Sequence, residues 1–230
     1  MAGFDEDLDL IYKKLCEDLD TEEIRELERL RMKLLELYKR QLVKSNHSVM
    51  ELIVAKQFLI RGWSVDLEYK LSEVLLCDVY CRNGDRRIIV EVETGFVPPE
   101  NAIDPMAYRL VRITSKAARY SPFADEFYFA TPAYHILQIP QLFLVPPSDR
   151  GEYSDELKGL KLLCDRYYKS PPISIEELRN ARVDGVILLN VDDVDAYFMT
   201  LYDYYSLFLR SLVKLGMIIM PYLIFTEREN

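Results

Sequence analysis

The stretch from Leu75 to Gly95, LLCDVYCRNGDRRIIVEVETG, predicts two β-strands joined by a turn. Asn83 followed by Gly84 is a strong short-range signal for a hairpin, because both residues tolerate the backbone angles of tight turns. The runs on either side are rich in Val, Ile and Leu, which favour strands. The hairpin is therefore the best-defined element of the sequence.

An even-length loop, centred on Gly84 or one step to either side, places three carboxylates on one face of the hairpin, since side chains alternate along each strand. These are Asp78, Glu91 and Glu93. The opposite face then presents small and apolar side chains, and we expect it to form the core. Its members are Cys77, Val79, Cys81, Ile88, Val90 and Val92.

Clustered carboxylates are costly, because like charges raise one another's pKa and burial adds to the penalty. A hard divalent cation removes this cost, and Mg²⁺ is commonly held by one or two carboxylates with waters and phosphate oxygens. The hairpin therefore predicts either a Mg²⁺ or Mn²⁺ site for phosphoryl chemistry, or an acidic sheet face in contact with water. The hairpin alone does not decide between the two.

The composition sets limits on partners and location. Half of the 230 residues are hydrophobic and the formal net charge is −9. This balance argues against broad electrostatic binding of nucleic acid, so such contact requires a local basic patch. The acidic first residues lack the apolar run of a signal peptide, and no stretch reaches the ~18 apolar residues of a membrane helix. We therefore expect a cytoplasmic protein without membrane contact.

Residues 1–44 are predicted to form a separate helical segment. Apolar residues recur at steps of three and four, and Asp20 with Glu23 makes a capping box before the second half of the segment. The charged surface between the apolar stripes suits either a lid packed on the core or a dimerisation element.

A further helix is predicted from Ser45 or Asn46, both good N-caps, to Gly62, a good C′ residue. Its body is apolar nearly all round except for Glu51, and His47 lies one turn earlier on the same face. A buried charge needs a partner or a metal, so Glu51 is a candidate site residue. The alternative is a glutamate at the rim, bonded to a Lys or Arg.

Residues 63–71 predict a first strand, and Asp104-Pro105 predicts the start of a helix that ends at Tyr120. This helix presents a basic stripe at steps of three, four and three residues, namely Arg109, Arg112, Lys116 and Arg119. The stripe is typical of phosphate binding, of salt bridges back to the acidic hairpin, or of a solvated face.

The remaining sequence predicts a strand at 126–131, a helical insertion at about 148–182, a last sheet strand at 183–189 and a helix over 193–215. Residues 45–230 are therefore expected to form one α/β domain with a mixed central sheet flanked by helices and a C-terminal helix. The apolar tail at 217–225 is too short to cross a membrane and is predicted to be a buried edge segment or a dimer contact.

The order of the predicted helices and strands, together with the acidic residues, resembles the PD-(D/E)XK nuclease superfamily. The resemblance covers about residues 45–131 and the 183–189 strand. Asp78 matches the aspartate of the motif, and Glu91-Val92-Glu93 matches the (D/E)-x-K step thirteen residues later. Glu51 matches a helical glutamate of several branches, including archaeal Holliday-junction resolvases and RecB-like exonucleases. Lys116 with Tyr120 is similar to the (Q/K)xxxY motif of the RecB-like branch.

Two positions depart from the motif. Cys77 replaces its proline, which is common in this superfamily, and Glu93 replaces its lysine. That lysine is thought to orient or activate the attacking water. In other members the lysine comes from a neighbouring helix, so Lys116 is the candidate substitute.

The resemblance implies a restriction-endonuclease-like core and a Mg²⁺- or Mn²⁺-dependent DNA nuclease. It assigns the metal to Asp78 and Glu91, with Glu93 as a base or further ligand. Glu51 would orient the metal-bound water and Lys116 would stabilise the phosphorane charge. The expected DNA contacts are Arg109, Arg112, Arg119 and Tyr120.

Two other functions stay open. One is a catalytically inactive nuclease-fold module for DNA binding or assembly, forming a homodimer through the N-terminal helices or the C-terminal segment. The other is an acidic α/β protein whose carboxylates are solvated. The composition, charged, rich in Tyr and poor in Gln, is similar to that of proteins from thermophilic archaea.

Overall fold

The computed structural model describes residues 4–214. Within this range the strands are β1 (Ser64–Lys70), β2 (Leu76–Asn83), β3 (Arg86–Val92), β4 (Glu126–Pro132), β5 (Gly185–Asn190) and β6 (Asp195–Thr200). They form one mixed sheet in chain order. β1, β2 and β3 make an antiparallel meander, β4 and β5 continue the sheet in parallel with β3, and β6 is antiparallel to β5.

Helices lie on both faces of this sheet. They are α1 (Phe4–Leu15), α2 (Thr21–Lys39), α3 (Ser45–Leu59), α4 (Pro105–Tyr120), α5 (Ser154–Tyr167), α6 (Ile175–Asn180) and α7 (Leu201–Lys214). Short 3-10 turns occur at Cys16–Asp18, Pro99–Asn101, Ser121–Phe123, Gln141–Leu144 and Arg150–Tyr153. The predicted α/β class, with a mixed central sheet flanked by helices, is confirmed.

The hairpin forms where the sequence predicts it. Asn83 pairs with Arg86, so the loop consists of Gly84 and Asp85 and has the even length on which the prediction depended. Val79 pairs with Val90, which places Asp78 opposite Glu91 at the end of the hairpin.

The sheet separates two hydrophobic cores. The first core packs α1, α2 and α3 against five of the six predicted core residues of the hairpin, namely Val79, Cys81, Ile88, Val90 and Val92. The second core packs α4 to α7 against the other face, and it includes Ile89 and Phe127. Cys77 belongs to this second core, so its predicted placement was wrong. The regular pairing of β2 with β3 stops at Val79, two residues after Cys77, whereas the pairing of β2 with β1 continues to Leu76.

The N-terminal helices share the first core. Leu8 of α1 and Leu30 of α2 are completely buried in the same cluster as residues of α3 and β1. The predicted capping box is present, because the Glu23 N–H donates to Asp20 Oδ1 (2.9 Å) and the Asp20 N–H donates to Glu23 Oε2 (2.8 Å). A domain boundary at residue 44 and a role in dimerisation stay predictions.

Two element boundaries differ from the predictions. The helix expected from Asp193 begins only at Leu201, because residues 195–200 pair with β5 as the edge strand β6. The 183–189 strand is therefore not the last. α3 begins at Ser45, one of the two predicted start residues, but it ends at Leu59, before the predicted Gly62.

Every helix within residues 4–214 falls short of the length and apolar character that a membrane span needs. The apolar tail at 217–225, predicted as an edge segment or dimer contact, lies outside the described residues.

Gly95 and Gly84 offer a matched test of the fold beside β3. Both have positive φ, +75° and +58°, but a Cβ at Gly95 would overlap the His135 ring at Cε1, whereas a Cβ at Gly84 would meet open space. Gly84→Ala should therefore cost only the backbone strain, about 1 kcal/mol. Gly95→Ala should cost about 1–3 kcal/mol more, because the His135 ring must also move. Urea denaturation measures both, and equal losses would contradict this packing.

Candidate functional site

A single lysine from α4 reaches the carboxylates of the hairpin. Lys116 Nζ lies 2.6 Å from Glu93 Oε1, 2.8 Å from Glu91 Oε2 and 3.7 Å from Asp78 Oδ2. Glu91 and Glu93 are only 1% and 3% exposed. The four residues predicted from the motif and the basic stripe therefore come together, and an acidic face open to water is wrong for these two glutamates.

Asp78 links β2 and β3 through its backbone and its side chain. Its N–H donates to Glu91 Oε1 (3.2 Å), and its Oδ2 accepts the Val92 N–H (2.6 Å). These two hydrogen bonds connect β2 and β3 beyond Val79 and Val90, where the regular pairing of the two strands ends. The hairpin itself thereby holds the two carboxylates beside each other, with the Asp78 side chain still in partial contact with solvent.

Glu93 is held by two cations. Arg112 Nε lies 2.9 and 3.0 Å from its two carboxylate oxygens, and Lys116 contacts it one helical turn further along α4. Burial alone would raise the pKa of Glu93, but Lys116 and Arg112 outweigh burial and hold that pKa at about 2. The backbone of Glu93 extends the sheet, since its N–H donates to the Ala130 carbonyl (2.8 Å). Glu93 thus forms a buried ion pair with Lys116 directly after β3.

Glu51 reaches this site from α3. It is completely buried, and neither of its carboxylate oxygens has a hydrogen-bond partner within residues 4–214. Carboxylate oxygens of Glu51, Glu68 and Asp78 all lie within 4.8 Å of one another. Burial, then the charges of Asp78 and Glu68, raise the pKa of Glu51 well above its usual range. The alternative of a rim glutamate bonded to Lys or Arg is therefore wrong. His47, one turn earlier, is half-buried, and burial lowers its pKa.

Glu68 is a member of the site that the sequence did not identify. It lies in β1 opposite Asp78, because Leu67 pairs with Val79 and Tyr69 pairs with Cys77. Its backbone has φ +46°, a left-handed conformation that is uncommon for residues other than glycine. The alternating pattern of residues 63–71 predicted a strand, but nothing in the sequence set its register against the hairpin. Only the register of β1 against β2 shows that Glu68 lies beside Asp78.

The other residues of the basic stripe contact protein groups. Arg109 Nε donates to the Gly95 carbonyl (3.1 Å), and Arg119 Nη2 donates to the Pro171 carbonyl (2.7 Å). Tyr120 is half-buried near the cluster, and burial followed by the charge of Glu91 raises its pKa. The interpretation of the stripe as salt bridges to the acidic cluster is thus confirmed for two of its members, Arg112 and Lys116. Contact with DNA stays a prediction.

Comparisons with known proteins identify no relative of this chain. No family model matches the sequence, and neither curated proteins nor solved structures show significant similarity. The resemblance to the nuclease superfamily therefore rests on the residues of this chain and their arrangement.

Replacing Lys116 should destabilise the protein. Lys116→Met removes one of the two cations that hold the buried charge of Glu93 and leaves Glu91 Oε2 without its contact to Lys116. The loss should cost about 3 kcal/mol. Lys161→Met is the matched control, because Lys161 pairs with Asp165 on the surface of α5, and such a pair contributes about 0.5 kcal/mol or less. Urea denaturation in EDTA compares the two, and losses of similar size would contradict a buried charge cluster.

The raised pKa values predict a pH dependence of stability. Burial and the charge of Asp78 raise the pKa of Glu68 to about 7 and that of Glu91 to about 8. The folded protein then holds protons that the unfolded chain has released, so this contribution is complete below about pH 4.5 and is lost as the pH rises toward 8.

Glu68→Gln should remove one of these groups and make the free energy of unfolding fall less steeply between pH 5 and 8 in EDTA. Glu73→Gln changes an exposed carboxylate and should leave the slope unchanged. Parallel slopes for wild type and Glu68→Gln would show that Glu68 ionises as freely in the folded protein as in the unfolded chain.

Proposed function

We propose that the protein is a metal-dependent DNA nuclease that hydrolyses phosphodiester bonds on a restriction-endonuclease-like core. The proposal rests above all on one observation, the position of Lys116 between Glu91 and Glu93 and beside Asp78. The lysine that the motif lacks at position 93 is thereby supplied from α4 to the carboxylates of the hairpin.

The arrangement of elements supports the proposal. Helix α3, the meander of β1 to β3, helix α4 and the parallel strand β4 follow one another in the order that the resemblance requires. Glu51, Asp78, Glu91 and Lys116 come from four different elements of this series and converge on one site. Carboxylates that only contact water would have no reason to lie beside a buried glutamate and a lysine from other elements.

The donor set fits a hard divalent cation such as Mg²⁺ or Mn²⁺. The site offers carboxylate oxygens, and both oxygens of the buried Glu51 have no other partner within the described chain. Asp78 would hold the ion, and the resemblance adds Glu91 and Glu93 to it. When bound, such an ion lowers the pKa of water and neutralises the scissile phosphate.

Residues of this chain would do the remaining work. In the hydrolysis, a water oxygen bonds to phosphorus and loses a proton to a carboxylate, while the bond to the leaving sugar oxygen breaks and that oxygen takes up a proton from solvent water. The Lys116 ammonium would stabilise the negative charge that develops on the phosphorane. Glu93, held by Arg112 on both oxygens, would keep Lys116 positioned. Lys116, Asp78 and Arg112 retain partial exposure, which gives a substrate access to the site.

DNA cutting tests the proposal. Wild type should cut closed-circular, linear or single-stranded DNA in Mg²⁺ or Mn²⁺ and not in EDTA, and the circular substrate separates endonuclease from exonuclease action. Asp78→Asn and Glu91→Gln keep the side-chain shape but replace a carboxyl group by an amide that cannot ionise, so each should lower the rate about 100-fold or more.

Glu73→Gln is the control, because Glu73 is an exposed carboxylate in the loop between β1 and β2. It should cut like wild type. Cutting that persists in Asp78→Asn would point to a contaminating nuclease and contradict the proposed site.

A catalytically inactive nuclease-fold module is the alternative, and one observation favours it. Lys116 and Arg112 satisfy Glu91 and Glu93 within the protein, and Arg109 and Arg119 already bind backbone carbonyls. Absence of cutting on all substrates, with retained binding to DNA, would favour this module for DNA binding or assembly.

A further inference from the structure

We propose that Glu68 is a metal ligand, and that it forms with Glu51 and Asp78 a binding site for one hard divalent cation in which Glu91 and Glu93 take no part. The inference deepens the proposed nuclease function, on which it rests for what the bound ion does. The resemblance implies Asp78, Glu91 and Glu93 as metal ligands. The ligand set proposed here adds Glu68, which is not part of the motif, and treats Glu91 and Glu93 as partners of Lys116 instead of the metal.

The first argument is geometric. Glu51 comes from α3, Glu68 from β1 and Asp78 from β2, and each offers a carboxylate oxygen within 4.8 Å of the other two. Octahedral ligands at about 2.1 Å from Mg²⁺ are about 3 Å apart when adjacent and about 4.2 Å apart when opposite. Small rotations of two glutamate side chains therefore bring these oxygens to bonding distance.

The second argument is the state of Glu51. Its carboxylate is completely buried among the described residues, its oxygens lie at the cluster, and neither accepts a hydrogen bond there. A buried polar group without a partner costs free energy, and a buried carboxylate is normally paired or bound to a metal. The side chain of Lys116, the cation nearest to Asp78, is engaged by Glu91 and Glu93. A bound cation supplies Glu51 with the partner it lacks.

The third argument excludes Glu91 and Glu93. Glu91 Oε2 contacts Lys116 and Oε1 accepts the Asp78 N–H, so each of its oxygens already has a protein partner. Arg112 binds both oxygens of Glu93. An ion between these groups would have to compete with two protein cations at short distance. Asp78 joins the two sets, because its Oδ2 faces the Val92 N–H while the side chain also takes part in the cluster with Glu51 and Glu68.

Direct titration with Mn²⁺ tests the site without any DNA. Electron paramagnetic resonance of free Mn²⁺ should show one bound ion per wild-type chain after removal of metals with EDTA. Glu68→Gln and Glu51→Gln should each weaken the affinity at least tenfold. Glu91→Gln should change it less than threefold, and Glu73→Gln should not change it. Competition with Mg²⁺ should displace the bound Mn²⁺ from wild type.

A second readout separates a ligand from a structural residue. Glu68→Gln removes a negative charge from a crowded cluster, so its melting temperature in EDTA should equal or exceed that of wild type. The increase in melting temperature on adding Mn²⁺ should shrink in the same variant. A residue needed only for folding would lower the melting temperature in both conditions.

The inference is overturned if wild type binds no Mn²⁺, if Glu68→Gln keeps wild-type affinity, or if Glu91→Gln loses as much affinity as Glu68→Gln. Its failure differs from that of the nuclease proposal. Mn²⁺ binding through Glu68 without DNA cutting would support this site and contradict the nuclease. DNA cutting with Mn²⁺ affinity unchanged in Glu68→Gln would contradict this site alone.

Discussion

The site depends on the balance of charge around Lys116. Five carboxylates, those of Glu51, Glu68, Asp78, Glu91 and Glu93, meet near the end of one hairpin, where water can screen them only in part. Lys116 and Arg112 compensate Glu91 of β3 and Glu93, which directly follows β3. The other three carboxylates have much less compensation from protein cations. The cluster is thereby divided into a part that the protein neutralises itself and a part suited to an added cation.

The fold creates this division by covering the sheet on both faces. α4 lies on one face and brings its cations to Glu91 and Glu93. α3 lies on the other face, and its buried Glu51 reaches Asp78 at the end of the hairpin. Asp78 lies one residue outside the regular pairing of β2 with β3, and it lies close both to Lys116 of α4 and to Glu51 of α3. The irregular end of the hairpin is therefore the meeting point of two otherwise separate cores.

Much of this arrangement could be predicted from local sequence patterns. Asn83-Gly84 determined the hairpin, and the even loop length placed Asp78 opposite Glu91. The apolar body of α3 indicated that Glu51 is buried, because a single carboxylate in such a helix has nowhere to meet water. The spacing of three and four residues in α4 predicted a basic stripe, of which Arg112 and Lys116 do pair with the hairpin. Local periodicity and turn chemistry suffice for these features because each depends on neighbours in the chain.

The sequence by itself thus determined the hairpin, the buried helix and the identity of most carboxylates. Only the tertiary structure decided their partners. The register of β1 against β2 brought in Glu68, and the pairing of β5 with residues 195–200 replaced a predicted helix by an edge strand. Both depend on contacts between segments whose relative position no local pattern sets. The same holds for Lys116, since a helical stripe shows which residues share a face but not which carboxylates that face will meet.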